Sequence, residues 1–283
     1  MTVTNTLTLP DASTAVPTDE GSIFFIGNAT VLLRVAGFTI LTDPTFIHKH
    51  EQTWLGGGLH TTRLIDPAIE LTDLPPLDLV LLSHFHGDHF DQVAERDLDR
   101  MLPIVTTPQS AQDLEERGFT NCRPLDVWES LDVKKGPARL RITATPARHG
   151  PPLVDLVLPD VMGSILDVKT ATGGESRIYI TGDTLVIDEL QEIPQRFPDI
   201  DIALLHLGGT RVLGILVSMD AKQGVEAMRI VDPSLAIPIH YNDYDVFTSP
   251  LSDFQEEVRA AGLEDRVHYL SHGETYTFMP RGN

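Results

Sequence analysis

The 283-residue chain carries 21 lysines and arginines against 41 aspartates and glutamates, a formal charge of −20. The acidic excess is spread along the chain with no basic stretch, so the surface repels phosphate backbones and argues against a nucleic-acid partner. The single cysteine, Cys122, excludes an internal disulfide and a cysteine-based zinc ribbon and suits a reducing compartment.

The N-terminal stretch "MTVTNTLTLPDASTAVP" lacks a basic segment followed by an apolar run, and nowhere do about 18 apolar residues follow one another. Residues 1–20 therefore read as a flexible tail, and residues 21–283 as one cytoplasmic domain without a stable membrane anchor. Short β-branched and aromatic runs come next, "SIFFIG", "TVLLRVAG" and "FTILTDP", divided by Gly-Asn and Ala-Gly turn signals. A polar stretch from Thr45 to about Pro76 follows, with three consecutive glycines and His48, His50 and His60. A loop that long is expected to be a lid or binding loop.

"LDLVLLS" then reads as a buried strand running into "SHFHGDHFD", and "DQVAERDLDRM" as the helix leaving it. The second half repeats the pattern. "PIVTTP", "RLRITATPA", "GSILDV", "SRIYITGD" and "DIALLHLGG" read as strands, while "AQDLEERG", "DAKQGVEAMRIV" and "PLSDFQEEVRAAG" carry helical apolar spacing. The last helix has Pro250 near its start and Gly262 past its end. Two groups of strands, each with helices, predict an α/β fold in four layers, an αββα sandwich.

Ser83 to Asp91 holds three histidines and two aspartates in nine residues. His84, His86, Asp88 and His89 sit on a strand-to-helix turn, where imidazoles and a carboxylate converge on a small volume. These are ligands for zinc, manganese or iron. Three more donors stand at the C-terminal ends of strands: His149 in "ITATPARHG", Asp183 in "SRIYITGDT" and His240 in "LAIPIHY". Together they supply enough nitrogen and oxygen donors for two metals, with one carboxylate left to bridge. Two divalent ions, zinc in the simplest case and manganese or iron otherwise, would share a water and turn it into a hydroxide near neutral pH.

The sequence resembles the metallo-β-lactamase superfamily of hydrolases from about Ser22 to Thr277. "LTDP" around Asp43 matches its first motif, "HFHGDH" its His-X-His-X-Asp-His motif, and His149, Asp183 and His240 follow in order. The resemblance implies that His84, His86 and His149 hold one metal, that Asp88, His89 and His240 hold the second, that Asp183 bridges, and that Asp43 supports the site. "FIGNATVLL", "LPPLDLVLLSHFHGDHFD" and "PIHYNDYD" look most like the branch with N-acyl-phosphatidylethanolamine phospholipase D and the ascorbate-phosphate lactonase. That branch has a histidine where this chain has Asn28, and a proline where it has His206.

The expected activity is hydrolysis of a phosphodiester, lactone or ester bond of a small molecule, with Asp88 and Asp183 positioning the hydroxide. A nuclease, a redox di-iron enzyme and a non-catalytic metal-binding protein are the alternatives. His206 ends a strand on the ligands' edge and is expected to line the pocket as a hydrogen-bond donor or acid. His48, His50, His60, His268 and His272 read as solvated or packed residues, and Tyr241 as facing away from His240. "RVLGILVSMD", Arg211 to Asp220, reads first as an ordinary buried segment. Its alternatives are a cover over the pocket, which favours a substrate with a neutral or apolar part, and a subunit interface in a homo-oligomer.

Overall fold

Side chains alternate across the buried strands and serve two cores at once. Leu79 and Leu81 face one hydrophobic cluster and Val80 and Leu82 another; Ile178, Leu204 and Ile237 likewise face away from Tyr179, Ala203 and Ala236. A strand buried on both faces needs apolar residues at every position, and its period of two sends them to opposite layers. In the computed structural model, which describes residues 5–10, 19–155 and 158–282, that alternation builds two seven-stranded sheets among the described residues.

The first sheet runs Thr275–Phe278, Gly21–Gly27, Thr30–Val35, Phe38–Thr42, Leu79–Leu81, Ile104–Thr106 and Cys122–Pro124. The second runs Asn5–Leu9, Ser130–Lys135, Ala138–Thr145, Gly163–Lys169, Glu175–Ile180, Ile202–His206 and Leu235–Ile239. Ile23, Phe25, Leu33 and Leu81 of the first meet Leu140, Ile142, Ile178 and Leu204 of the second in the central core. Helices Ala221–Val231 and Leu251–Ala261 cover the outer face of the second sheet, and Gln92–Asp97 and Pro108–Glu116 that of the first. The expected αββα sandwich is the observed one. Among the described residues no helix is long and apolar enough to cross a membrane.

Phe38–Thr42, Leu79–Leu81 and Ile104–Thr106 run parallel, as do Glu175–Ile180, Ile202–His206 and Leu235–Ile239. Parallel neighbours bring their C-terminal ends to one edge of a sheet, and the residues that follow those ends form the candidate site.

The flexible tail expected over residues 1–20 is corrected at Asn5–Leu9. That segment pairs parallel with Ser130–Lys135, from Asn5 against Leu131 to Leu9 against Lys135, and its Leu7 and Leu9 join the central core. Alternating leucine and threonine supplies one apolar and one polar face, which is what an edge strand needs. Residues 1–4 and 11–18 of the expected tail lie outside the described residues. The helix after the histidine cluster is shorter than "DQVAERDLDRM", because Leu98 turns extended and buries its side chain. The final helix ends at Gly262 in the left-handed region, φ 66°, as its glycine implied.

Within the segment from Thr45 to Pro76, Gln52–Trp54 pairs with His60–Thr62 as a hairpin, turned by Gly56, Gly57 and Gly58 with positive φ, and Leu71–Asp73 forms a single 3-10 turn. The reading of Arg211 to Asp220 as an ordinary buried segment is also corrected. Arg211–Val212 and Ile215–Leu216 form a second hairpin, and its tip residue Leu213 is 95 % exposed.

Asp91, the last residue of the histidine-rich stretch, is structural. Its Oδ1 accepts from the Val93 and Ala94 amides at 3.0 and 2.9 Å and caps the helix, while Oδ2 accepts from the amides of Phe46 and Ile47. Burial pushes its carboxyl above the usual range against those amides. Asp91→Ala removes the cap and strands two buried amides, so a loss of about 3 kcal/mol is expected in urea unfolding, and a loss under about 0.5 kcal/mol would contradict this role.

Candidate metal centre

Six strand ends, two in the first sheet and four in the second, deliver the site. Thr42 is followed by Asp43 and Leu81 leads into the turn with His84, His86, Asp88 and His89; across the sandwich, Thr145, Ile180 and Ile239 precede His149, Asp183 and His240, and His206 ends its own strand. Asp43 and His240 adopt positive φ, 34° and 60°, so the chain turns sharply as each strand stops. Glycine is required directly before two of the site's aspartates. A Cβ on Gly87 would lie 2.1 Å from Thr53 Oγ1 and 2.4 Å from the Trp54 carbonyl, and one on Gly182 would lie 2.6 Å from the Met162 carbonyl. Each of these glycines immediately precedes an aspartate of the cluster, Asp88 and Asp183.

The outward ring nitrogens are held by the fold. His149 Nδ1 donates to the Val217 carbonyl at 2.8 Å and His240 Nδ1 to the Leu207 carbonyl at 3.1 Å, which leaves Nε2 of each ring as the nitrogen available to a ligand in the cluster. Nδ1 of His84 lies 3.0 Å and Nδ1 of His89 3.3 Å from Ser83 Oγ, and His89 Nδ1 is also 3.3 Å from Asp43 Oδ2. Inside the cluster, His84 Nε2 stands 3.1 Å from His86 Nδ1, and His89 Nε2 stands 3.1 Å from His240 Nε2.

Three sets bring one donor atom per residue within 4.8 Å of one another: His84, His86 and His149; Asp88, His89 and His240; and His84, His89 and Asp183. A fourth, Asp43, His89 and His206, lies behind them. All seven residues expected to ligate are buried together. Among the described residues, Asp88 Oδ1 and Asp183 Oδ1 are buried without a hydrogen-bond partner. Converging imidazole lone pairs beside orphaned carboxylate oxygens fit a divalent cation.

The electrostatics agree. Burial drives His84 well below its ordinary range, takes His86 down to about 3 with help from His149, and lowers His149 and His206. His89 goes the other way: burial opposes its charge, but Asp183, Asp88 and Asp43 together hold it well above the usual value. His240 is raised for the same reason, chiefly by Asp183. Burial likewise opposes ionisation of Asp183, yet His240 and His89 keep that carboxyl well below the usual range, and Asp43 falls to about 2. Burial opposes ionisation of Asp88 too, yet His89 and His240 lower it, so three carboxylates pair with no lysine or arginine among the described residues, only with histidines.

His206 does not line the cavity, which corrects its expected role as donor or acid to a substrate. It is fully buried, with Nε2 3.2 Å from Asp43 Oδ2 and Nδ1 3.2 Å from Thr181 Oγ1. Strand alternation explains this: Ile202 and Leu204 face the central core, so His206 points between the sheets, where Asp43 stands. His48 pairs with Glu70 at 2.9 Å on the surface, and neither it, His50 nor His60 reaches the cluster. Tyr241 enters the central core with its hydroxyl on the Leu270 carbonyl at 3.1 Å.

Sequence reasoning missed a polar brace behind the ligands. Asn28 Nδ2 donates to the Asp88 carbonyl at 2.5 Å, and the Asn28 carbonyl accepts from the His240 amide at 2.7 Å, so one residue fastens two ligand loops. The Asn28 amide donates to Asp243 Oδ2 at 3.0 Å, and fully buried Arg63 lies 3.8 Å from Asp243 Oδ1. Arg63 also donates to the carbonyls of Ile65 and Thr45, at 2.8 and 3.1 Å, which ties the lid segment to the brace. A lone arginine in a polar loop carries no sequence signal of burial.

A cavity of about 450 Å³ opens onto the cluster, with His86, Asp88, His149 and Asp183 in its floor. Trp54, Leu55 and Leu59 of the lid hairpin and Val212 and Val217 of the second hairpin form its walls. A family model described as the beta-lactamase superfamily domain matches residues 39–241, a span holding the whole cluster. The chain belongs to the beta-lactamase superfamily. Among relatives of this superfamily member, a UPF0173 metal-dependent hydrolase of Methanopyrus kandleri is 26 % identical over 90 % of this chain and 98 % of its own length. The N-acyl-phosphatidylethanolamine-hydrolyzing phospholipase D 1 of Caenorhabditis elegans is 26 % identical over 81 % of this chain and 67 % of its own. The fold matches that of the isothiocyanate hydrolase from Delia radicum gut bacteria, with a TM-score of 0.77 at 24 % identity over 91 % of this chain and 99 % of that one.

The two roles for His206 separate by experiment. Acting through Asp43 and His89, His206→Ala is expected to weaken metal binding or turnover by about 10- to 100-fold without changing KM. A far larger loss of kcat at full metal content would restore the acid role.

Proposed function

We propose that this chain is a metal-dependent hydrolase that holds two divalent transition-metal ions, with zinc the first choice and manganese or iron the alternatives, and cleaves a phosphodiester, ester or lactone bond of a small molecule. The observation that carries this reading is the buried cluster itself, with orphaned oxygens on Asp88 and Asp183 among imidazole nitrogens that the fold has already oriented. His84, His86 and His149 would hold one ion and Asp88, His89 and His240 the other. Asp183 belongs to a set with His84 and His89, one residue from each trio, which supports a bridging place. Two such ions would lower the pKa of a shared water from 15.7 to about 7 and polarise the oxygen of the group under attack.

The chain's own residues do the rest. Asp88 and Asp183 present buried carboxylate oxygens at the cavity floor and would orient the nucleophile there. Asp43 accepts from the Ser83 amide at 2.7 Å through Oδ1 and from the His89 and His206 rings through Oδ2, and so fixes the turn that carries the ligands. The two hairpins narrow the access of water. The relatives' names support hydrolysis, and they name different substrates, a phospholipid and an isothiocyanate. A charge of −20 opposes a nuclease.

Elemental analysis of the purified protein is expected to find close to two transition-metal ions per chain. Asp183→Asn should keep the fold by circular dichroism, lose the second ion and lower turnover on the order of a hundredfold or more. Full metal content with unchanged turnover of phosphodiester, lactone and ester probes in that variant would remove the bridge, and a metal-free active protein would end the reading altogether.

A further inference from the structure

We propose that the cavity selects substrates with a single uncharged hydrocarbon body of medium length, carrying their one polar group at the cluster. The inference rests on the reading of that cluster as a hydrolytic centre. Its floor is polar and its walls are mostly apolar, with Gln109, Asp113, Arg117 and Thr210 the polar exceptions. Trp54, Leu55 and Leu59 come from one hairpin, Val212 and Val217 from the other, and Phe85 stands between two of the cluster's histidines. The apolar surface continues outward, because Trp54, Leu59 and Ile215 are 46 %, 44 % and 42 % exposed, and Ile215 is the register partner of Val212.

What the walls lack decides the substrate class. Among the described lining residues Arg117 is the one cationic side chain outside the floor, and it is engaged. Its guanidinium lies 4.4 Å over the Phe85 ring, Nη1 donates to the Asp113 carbonyl at 2.7 Å, and Nε is 3.5 Å from Glu95 Oε2. The Asp113 residue shares that wall. A second anionic group on the substrate, a phosphate or a carboxylate, would therefore meet the Asp113 carboxylate beside a guanidinium already shared with Glu95, in a chain that is acidic overall. A hydrocarbon body gains instead from leaving water, by about fourfold in affinity for each methylene buried. At about 450 Å³ the space suits one chain or ring system.

Trp54 provides a readout that is independent of turnover. The chain has two tryptophans, and Trp128 lies against Phe197 and Arg196, away from the cavity. In metal-loaded Trp128→Phe protein, fluorescence then reports on Trp54 as primary alkanamides from butanamide to decanamide are titrated. The dissociation constant is expected to fall about fourfold per methylene until the cavity is full. An ω-carboxylated amide of equal length should bind about tenfold more weakly or worse. Val212→Asp should flatten the series. Affinity that ignores chain length in the unsubstituted cavity, or favours the ω-carboxylate, would overturn the proposal. The matching p-nitrophenyl esters separate it from the reading on which it rests: graded amide binding with no metal-dependent turnover of any ester leaves the cavity assignment standing and ends the hydrolase reading, whereas turnover with ungraded binding does the reverse.

Discussion

Three carboxylates held within one buried cluster are the constraint on which this molecule is built. Asp43, Asp88 and Asp183 are at most 3 % exposed, and their ion-pair partners among the described residues are histidines. An ionised carboxylate removed from water costs several kcal/mol unless opposite charge stands beside it. The raised proton affinity of His89 and His240, whose Nε2 atoms stand 3.1 Å apart and can share a proton, meets part of that demand against the burial of both rings. Divalent cations meet it better, since each would displace a proton from imidazole and leave its lone pair in use. The same arrangement that is awkward for an apolar core is favourable for metal.

The sandwich exists in a form that serves this cluster. Ligands on one sheet alone would be strung along an edge, but two sheets packed face to face place their strand ends opposite one another, and the seven donors arrive from both sides. Short-range requirements follow from the crowding. Gly87 lets the Asp88 turn press against the lid strand, with its amide donating to the Trp54 carbonyl at 2.8 Å, and Gly182 lets the Asp183 turn lie against Met162 and Ser83. Asn28 then ties the Asp88 turn to His240, and Asp243 and Arg63 carry that brace to the lid hairpin. The segment that shapes the cavity is thus fastened to the segment that shapes the cluster, so substrate contact and ligand geometry share one set of supports.

Much of the cluster and of the layer order is legible in the amino-acid sequence. Strand termini punctuated by proline, glycine and single polar residues reveal His149, Asp183 and His240, because a buried apolar run that stops at a donor has few other reasons to carry one there. The "HFHGDH" turn is dense enough to identify by itself. Long-range facts are harder to read. Asn5–Leu9 has the alternation of a strand, but a partner more than a hundred residues away decides whether such a segment pairs, and the unpromising composition around it points to a tail. His206 falls on the expected edge, yet the parity of its strand, with Ile202 and Leu204 facing the central core, is the available signal that it turns to Asp43 and away from the cavity. The apolar run Arg211 to Asp220 is buried only in part, because its hairpin has an aqueous side and a cavity side. Arg63 and Asp243 are invisible in the sequence, since nothing local marks a charge whose counterpart is supplied by a distant turn.

The central claim is that the cluster is a place for two cations held side by side by these residues. Anomalous X-ray diffraction from crystals of the zinc-loaded protein, recorded at the zinc edge, tests it most directly. Two peaks about 3.5–4 Å apart are expected, one beside His84, His86 and His149, the other beside Asp88, His89 and His240, with Asp183 reaching both. A single peak, or peaks only at surface carboxylates with the cluster empty at saturating zinc, would contradict it.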